Sequence, residues 1–152
     1  MKKLDKLALA LSMLIILGFV SCQSTPGTST LDTTKYENIV SIAVDAVNSN
    51  DTDALLKHFS RQFNFFGIGG HVGRIAAEGL YQRIDDRILT YNLVNVERDT
   101  KRKLVTLTYE VEWASGPKEA DFVFETPSGM LLTLTLVPSK METIEFEAEV
   151  ER

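Results

Sequence analysis

The sequence is poor in the residues that build covalent or metal-held structure. Its 152 residues include one cysteine, Cys22, and two histidines, His58 and His71. A single cysteine excludes an internal disulfide. The two histidines lie in different predicted elements and lack the short spacing typical of metal ligands. We therefore expect no metal site and no cofactor, and a core that is held by side-chain packing alone.

Positive charge is also scarce, since the formal net charge is −5 at pH 7. Loss of residues 1–21, which contain three lysines and one aspartate, would move it to −7. The basic cluster Lys101, Arg102 and Lys103 lies between two strand patterns, which is typical of a solvated hairpin turn. Contact of this cluster with anionic headgroups is the alternative. Nucleic-acid binding needs a basic stripe, so we expect no nucleic-acid partner.

A recognisable catalytic or phosphate-binding motif is missing as well. Four glycines lie between residues 67 and 73, before a predicted helix. Val72 stands where a dinucleotide-binding loop would have its third glycine. The run therefore predicts a turn, and a weak anion site at His71 and Arg74 is the alternative.

The first 22 residues, by contrast, carry a clear signal. Three lysines within residues 2–6 precede fourteen largely apolar residues, 7–20, which is the layout of a bacterial export signal. A spanning helix needs roughly 20 apolar residues, so cleavage is predicted. Residues 19–22 (FVSC) resemble the lipobox of bacterial lipoproteins, which ends in a small residue and then cysteine, although Phe19 stands where leucine is usual.

The lipobox resemblance implies that Cys22 carries a diacylglycerol, and that acyl chains anchor the protein in a bilayer. Two or more chains hold a protein stably at a membrane, whereas one is marginal. The implied location is the bacterial cell envelope, at the outer membrane or the outer face of the cytoplasmic membrane. An ordinary secretory signal with an incidental cysteine is the alternative. Residues 22–35, rich in Ser, Thr, Pro and Gly, are predicted to form a flexible tether, and residues 36–152 one domain.

Three helices are predicted at the start of this domain. Apolar residues recur at three- and four-residue spacing over 36–47, and residues 48–51 (NSND) end that helix. Asn50 or Asp51 is predicted to cap a second, short helix that ends at Phe59. The third helix has the strongest apolar stripe, in which Gly79 is predicted to permit close approach to a sheet. The stripe consists of Val72, Ile75, Ala76, Gly79, Leu80, Arg83 and Ile84.

From residue 88 onward, apolar residues recur at every second position instead of every third or fourth. Residues 105–113 alternate strictly, which predicts a strand with one dry and one wet face. Further strands are predicted at 63–66, 88–98, 120–125 and 130–137. Residues 144–150 alternate again, and the glutamates at 142, 145, 147, 149 and 151 are explained by protection of an edge strand or by a cationic partner. The order predicts an α+β domain with its helices on one face of an antiparallel sheet.

This element order, together with residues 49–56 (SNDTDALL), resembles the nuclear transport factor 2-like superfamily over residues 36–137. The superfamily includes ketosteroid isomerases and polyketide cyclases. The resemblance implies a bent sheet that wraps the helices into a cone with an apolar pocket. Many members bind ligands or partners without catalysis, and no catalytic role is transferred to this chain.

The candidate ligand-binding residues are Arg83, Tyr109 and Trp113. Arg83 interrupts the apolar stripe of the third helix, where it either snorkels along the sheet or faces an acidic ligand. Tyr109 and Trp113 lie on the dry face of their strand, where they either pack in the core or line a pocket. Three functions follow: a lipid-anchored module that binds a small apolar ligand or an envelope protein, a pocket enzyme of the isomerase or cyclase type, and a structural envelope protein. The first is preferred, because the sequence carries a clear signal for a lipid anchor and no recognisable set of catalytic residues.

Overall fold

A computed structural model describes residues 31–141 of the chain. Its helices are α1 (Thr34–Ser49), α2 (Asp53–Leu56) and α3 (Gly70–Tyr81). Its strands are β1 (Phe59–Phe65), β2 (Ile68–Gly69), β3 (Ile88–Asp99), β4 (Leu104–Trp113), β5 (Gly116–Glu125) and β6 (Leu131–Leu134), and a 3-10 turn, Ser139–Met141, follows them. The predicted export signal, Cys22 and the strand predicted at 144–150 lie outside the described residues.

The six strands form one sheet in the order β2-β1-β6-β5-β4-β3. The pairs from β3 to β6 are antiparallel, as predicted. The prediction of a purely antiparallel sheet is wrong in one pair, because β1 runs parallel to β6. The chain enters the sheet from α2 at His58, whose carbonyl accepts a hydrogen bond from the Leu131 amide at 2.7 Å.

The helices cover the dry face of this sheet. On β4 the residues 105, 107, 109, 111 and 113 are all at most 4% exposed, as the strict alternation predicts. Helix α1 crosses the same face. At its start the Tyr36 ring lies 4.9 Å from the Phe124 ring of β5. At its end the Asn48 amide side chain donates to the Ile88 carbonyl at 3.1 Å and accepts from the Ile88 amide at 2.9 Å. The α+β prediction is confirmed.

The second helix is shorter than predicted. It ends at Leu56, and Phe59 begins β1 instead of ending the helix. The Phe59 ring stacks on the Phe63 ring with centroids 3.8 Å apart, in the part of β1 where the pairing with β6 shifts register. Asn50 does not cap this helix. It ends α1 in a left-handed conformation with φ 55°, while the Asp51 carboxylate accepts from the Asp53 amide at 3.1 Å.

Within residues 31–141, no helix combines the length and the apolar character that crossing a bilayer would require.

Candidate functional site

A cavity of about 550 Å³ lies between α3, the end of β1 and the chain that follows β6. One wall consists of Phe65 at the end of β1 and Phe66 in the turn after it. Val137 and Met141, beyond β6, complete this side. Phe66 is 57% exposed, and its φ of 48° turns the chain sharply at this point. The wall is entirely apolar, so it offers contact surface but no hydrogen-bonding side chain.

The other wall of the cavity is α3, which contributes Ile75, Ala76, Gly79 and Leu80. These are members of the predicted apolar stripe. The expectation that this stripe packs on the sheet is wrong, because Ile75 is 54% exposed and Val72 is 64% exposed. Most of the strongest apolar pattern in the chain therefore faces a cavity and solvent, and Ile84, at 3% exposed, is the one buried member of the stripe.

Helix α3 instead buries the face that carries Gly73, Ala77 and Tyr81. A Cβ atom on Gly73 would lie 2.1 Å from the Ile68 carbonyl oxygen and 3.4 Å from the Phe63 carbonyl oxygen. Only glycine allows the helix to approach the β1 and β2 backbones this closely. The larger side chains of the stripe cannot enter that contact, and this steric limit turns them outward.

Gly79 has the opposite environment. A Cβ atom there would meet only the Arg83 guanidinium, with Nη2 at 3.6 Å. The prediction that Gly79 permits close helix–sheet approach is therefore wrong, and Gly73 has that role. Gly79 leaves a recess in the cavity wall, and Arg83 lies over it.

Arg83 also lines the cavity, just beyond the end of α3. It is the sole ionisable residue of the lining, whose other members are Phe, Ile, Ala, Gly, Leu, Val and Met. Its side chain is exposed, and no residue within the described part of the chain forms a hydrogen bond or ion pair with its guanidinium. The cavity can thus hold an apolar body and attract a negative charge at one end.

Tyr109 and Trp113 do not line this cavity. They lie within the sheet core and are 4% and 1% exposed. The Tyr109 ring contacts those of Phe122 at 5.6 Å and Tyr91 at 5.8 Å. Burial, helped by the negative charge of Glu37 and by Tyr91, raises the pKa of Tyr109 to about 12. The structure does not bring the two aromatics together with Arg83, so ligand contact by them stays a prediction.

Tyr81 lies directly behind the cavity wall, with its ring 5.7 Å from that of Phe65. Its hydroxyl is buried without a hydrogen-bond partner among residues 31–141. Burial raises the pKa of Tyr81 well above its ordinary value. This hydroxyl is therefore held neutral and weakens the packing of α3 at its C-terminal end.

The predicted turn residues behave as expected. Gly67 and Gly70 have φ values of 87° and 66°, so the glycine run forms a turn before α3. The basic cluster lies at the β3–β4 turn, where Arg102 pairs loosely with Asp99 at 3.8 Å. No group of three or more Asp, Glu, His or Cys side chains in the described part of the chain is arranged to hold a metal ion.

Sequence reasoning identified one cavity residue by its chemistry, Arg83, and missed the opposite wall. Phe66, Val137 and Met141 come from segments with no periodic pattern, so they carry no local signal. Ile75 was placed on the apolar stripe of the third helix, and the face of a helix that carries such a stripe normally packs against the core. The presence of two small residues, Gly73 and Ala77, on another face was the signal for the true contact.

The sequence matches no protein-family model and no curated protein. Solved structures do match it. A nuclear transport factor 2-like protein of unknown function from Shewanella baltica is 11% identical with a TM-score of 0.53, over 70% of this chain and 93% of that one. A similar protein from Cytophaga hutchinsonii is 15% identical, with a TM-score of 0.43 over 65% and 85%.

The epoxide hydrolase/cyclase-like enzyme SalBIII, which acts in pyran ring formation in salinomycin, is 18% identical with a TM-score of 0.46, over 68% of this chain and 89% of that one. Identities this low bear on fold alone. The helices on one face of a six-stranded mixed sheet agree with the Shewanella structure. The described domain therefore has the nuclear transport factor 2-like fold.

Proposed function

We propose that the domain binds a small apolar molecule with an acidic group in the cavity beside α3. The observation that carries the proposal is the lining, which is apolar except for Arg83. Binding pockets for small molecules typically measure about 300–1,000 Å³ and combine apolar walls with a few orienting polar groups. A cavity of about 550 Å³ fits this description.

The affinity comes mainly from apolar contact. Phe66 and Ile75 are more than half exposed at this cavity, and covering apolar surface gains roughly 25 cal/mol per Å². Arg83 orients the bound ligand, because a guanidinium pairs with a carboxylate through two parallel hydrogen bonds. Because Arg83 is exposed, such a pair is worth about 1 kcal/mol or less. It therefore selects among apolar ligands instead of supplying most of their binding energy.

The lining supports binding in preference to catalysis. General acid–base chemistry needs a carboxylate, imidazole, amine, thiol or phenol within hydrogen-bond reach of the reacting atoms. The nine lining residues include none of these groups. An isomerase or cyclase activity would have to use another site, for which the described residues supply no geometry.

We also propose that acyl chains on Cys22 hold the domain at a membrane of the bacterial cell envelope. The support is the export-signal layout of residues 1–22. Mass spectrometry of the mature N-terminus tests this proposal: an acylated Cys22 is expected, and the Cys22→Ala variant should be unprocessed or released from membranes. An unmodified cysteine, or a mature chain that begins elsewhere, would disprove it.

Ligand binding is tested with a matched pair of probes, decanoate and decanol, on residues 22–152. Arg83→Met keeps the alkyl volume and removes the charge, so it should weaken decanoate about five-fold, the equivalent of ~1 kcal/mol, and leave decanol unchanged. Arg87→Met is the control, since Arg87 is exposed outside the cavity lining. Equal loss in both arginine variants, or no binding of either probe, would refute the proposal.

Trp113 locates the bound ligand. It is the single tryptophan, is 1% exposed and lies outside the cavity lining. Ligand in the α3 cavity should therefore leave its emission unchanged. A shift at saturating decanoate would instead place the ligand against β4, as the sequence pattern predicts.

A further inference from the structure

A second cavity, of about 460 Å³, lies between the β3–β4 turn and the loop that joins β5 to β6. It shares no lining residue with the cavity beside α3. Its lining also differs in kind, because it carries charges of both signs. Arg102 and Lys103 supply the positive charges and Glu125 supplies the negative one.

The backbone brings these three charged residues to one place. Leu104, at the start of β4, pairs with Glu125, at the end of β5. The Thr126 amide donates to the Lys103 carbonyl at 2.8 Å, which ties the loop after β5 to the β3–β4 turn. The two sides of the cavity are therefore positioned by backbone hydrogen bonds and not by contacts between charged side chains.

The Glu125 carboxylate is oriented by a buried serine. Ser60 is 3% exposed, and its hydroxyl donates to Glu125 Oε1 at 2.9 Å. The same hydroxyl accepts from the Gln62 amide at 3.1 Å, so its own position is fixed. The Ser128 hydroxyl lies 3.5 Å from Glu125 Oε2, which is long for a hydrogen bond between oxygens. The carboxylate is thus held through Oε1, and Oε2 keeps most of its capacity to accept.

The opposite charges of this lining do not neutralise one another. Within residues 31–141, neither Arg102 nor Lys103 forms an ion pair with Glu125. Arg102 reaches only Asp99, at 3.8 Å, and its side chain is 80% exposed. Cations and a carboxylate that line one cavity without touching each other suit a ligand that carries both charges.

The count of charges indicates which ligand fits. Two cations and one carboxylate give the lining a net charge of +1. A phosphate monoester carries about −1.5 to −2 at pH 7, so a molecule that joins it to a primary ammonium is negative overall. Guanidinium and ammonium groups both bind phosphate oxygens strongly. A lipid headgroup with a phosphate diester and an ammonium has no net charge and complements the lining less well.

We infer that this cavity binds a small soluble molecule that carries a phosphate monoester and a primary ammonium. The phosphate binds to Arg102 and Lys103, and the ammonium donates to Glu125 Oε2. Because none of the three charged residues is fully buried, each charge pair contributes little, and a dissociation constant on the order of 1 mM is expected. The inference is independent of the ligand proposed for the α3 cavity.

The test is a titration of isotope-labelled residues 22–152 with O-phosphoethanolamine, followed by the amide chemical shifts. Lys103→Met keeps the alkyl stem and removes one charge, so it should weaken binding about five-fold, the effect of one exposed charge pair. Lys101→Met is the matched control, because Lys101 lies in the same turn but outside the lining. It should bind the probe as the parent does, and equal losses in the two variants would overturn the inference.

Glu125→Gln tests the ammonium half of the site. The glutamine keeps an oxygen that can accept from Ser60 but loses the charge. Binding of O-phosphoethanolamine should weaken about five-fold, whereas binding of inorganic phosphate should not weaken. Glu119→Gln, at an exposed position of β5 outside the lining, should change neither. Equal weakening of both probes by Glu125→Gln, or no binding of O-phosphoethanolamine to the parent, would overturn the inference.

Vesicles distinguish a soluble ligand from a lipid headgroup. Unacylated residues 22–152 should sediment equally with vesicles that contain phosphatidylethanolamine and with phosphatidylcholine vesicles. Preferential sedimentation with phosphatidylethanolamine, lost in Lys103→Met and unaccompanied by binding of O-phosphoethanolamine, would assign the cavity to a lipid and overturn the soluble ligand. The decanoate and decanol titrations of the α3 cavity are unaffected by either result, because the two cavities share no residue.

Discussion

Strand β4 and helix α3 have the two strongest apolar patterns in the sequence, and the fold uses them in opposite ways. The patterned residues of β4 are at most 4% exposed. On α3, Val72 and Ile75 of the stripe are 64% and 54% exposed. A strand in this sheet has one face toward the helices, so its alternation decides its burial. A helix has several faces, and α3 buries the one whose small residues allow the closest approach.

The largest effect is expected when one apolar side chain in each region is shortened to alanine. Leu107 on β4 is 0% exposed, so Leu107→Ala should lower the free energy of unfolding by about 2–5 kcal/mol through lost burial and a cavity. Ile75→Ala on α3 should cost less than about 1 kcal/mol, because the side chain is 54% exposed. Urea denaturation of residues 22–152 measures both. Equal losses would mean that Ile75 is covered in solution.

Two glycines of α3 allow the buried face and the cavity face of this one helix to be compared. Gly73→Ala would place a Cβ atom 2.1 Å from the Ile68 carbonyl oxygen, and the resulting shift of backbone should destabilise the domain by about 1–3 kcal/mol or more. Gly79→Ala meets only the Arg83 guanidinium at 3.6 Å. It should stabilise the domain by about 0.5–1 kcal/mol, since glycine is unfavourable inside a helix. Thermal unfolding of both variants provides the measurement, and a reversed order would contradict the assigned faces.

Stability at alkaline pH tests the burial of Tyr109 on β4. The pKa of Tyr109 is raised from 10.0 to about 12 by its burial. Below pH 10 the tyrosine is neutral in the folded and unfolded states, so its contribution to stability is fully present there. Above pH 10 the unfolded chain releases the proton first, and stability falls until about pH 12. Tyr109→Phe should flatten this fall in denaturation curves measured between pH 9 and 12. An unchanged slope would show that Tyr109 is accessible to water.

The smallest effect is expected at Tyr81, on the buried face of α3. Its hydroxyl is buried without a partner among the described residues. Tyr81→Phe removes that unsatisfied group and should raise the free energy of unfolding by about 1 kcal/mol. Tyr91→Phe, at a partly exposed position on β3, is the control and should change stability by less than about 0.5 kcal/mol. Destabilisation by Tyr81→Phe would reveal a hydrogen bond to water or to another part of the chain.

The order of elements was predictable from residues 36–137 because their periods are local properties. Alternation located β3, β4 and β5 to within a few residues, and helical spacing located α1 and α3. The parallel pairing of β1 with β6 was not predictable. It depends on which distant strand meets β1, and no local period encodes that choice. Local spacing assigned Phe59 to α2 for the same reason, whereas its pairing with the distant Leu131 of β6 places it in β1.

The sequence alone predicted one residue of the candidate site. Arg83 stood out because a cation on an apolar stripe is chemically unusual, and the structure places it at the cavity. Tyr109 and Trp113 stood out as large aromatics, but size and burial cannot separate a pocket wall from a packed core. The opposite wall, Phe66 with Val137 and Met141, was invisible in the sequence because three separate segments supply the cavity.

The sequence by itself determined the α+β class, the dry face of the sheet and the unusual chemistry of Arg83, since each follows from a repeat or residue type within one short segment. It also supports the export signal and the lipidation of Cys22 as predictions. Tertiary structure alone decided which face of α3 is buried, because that outcome depends on the 2.1 Å contact that a side chain at Gly73 would make with Ile68. Close packing between distant segments therefore decided that most of the apolar stripe faces the cavity and solvent.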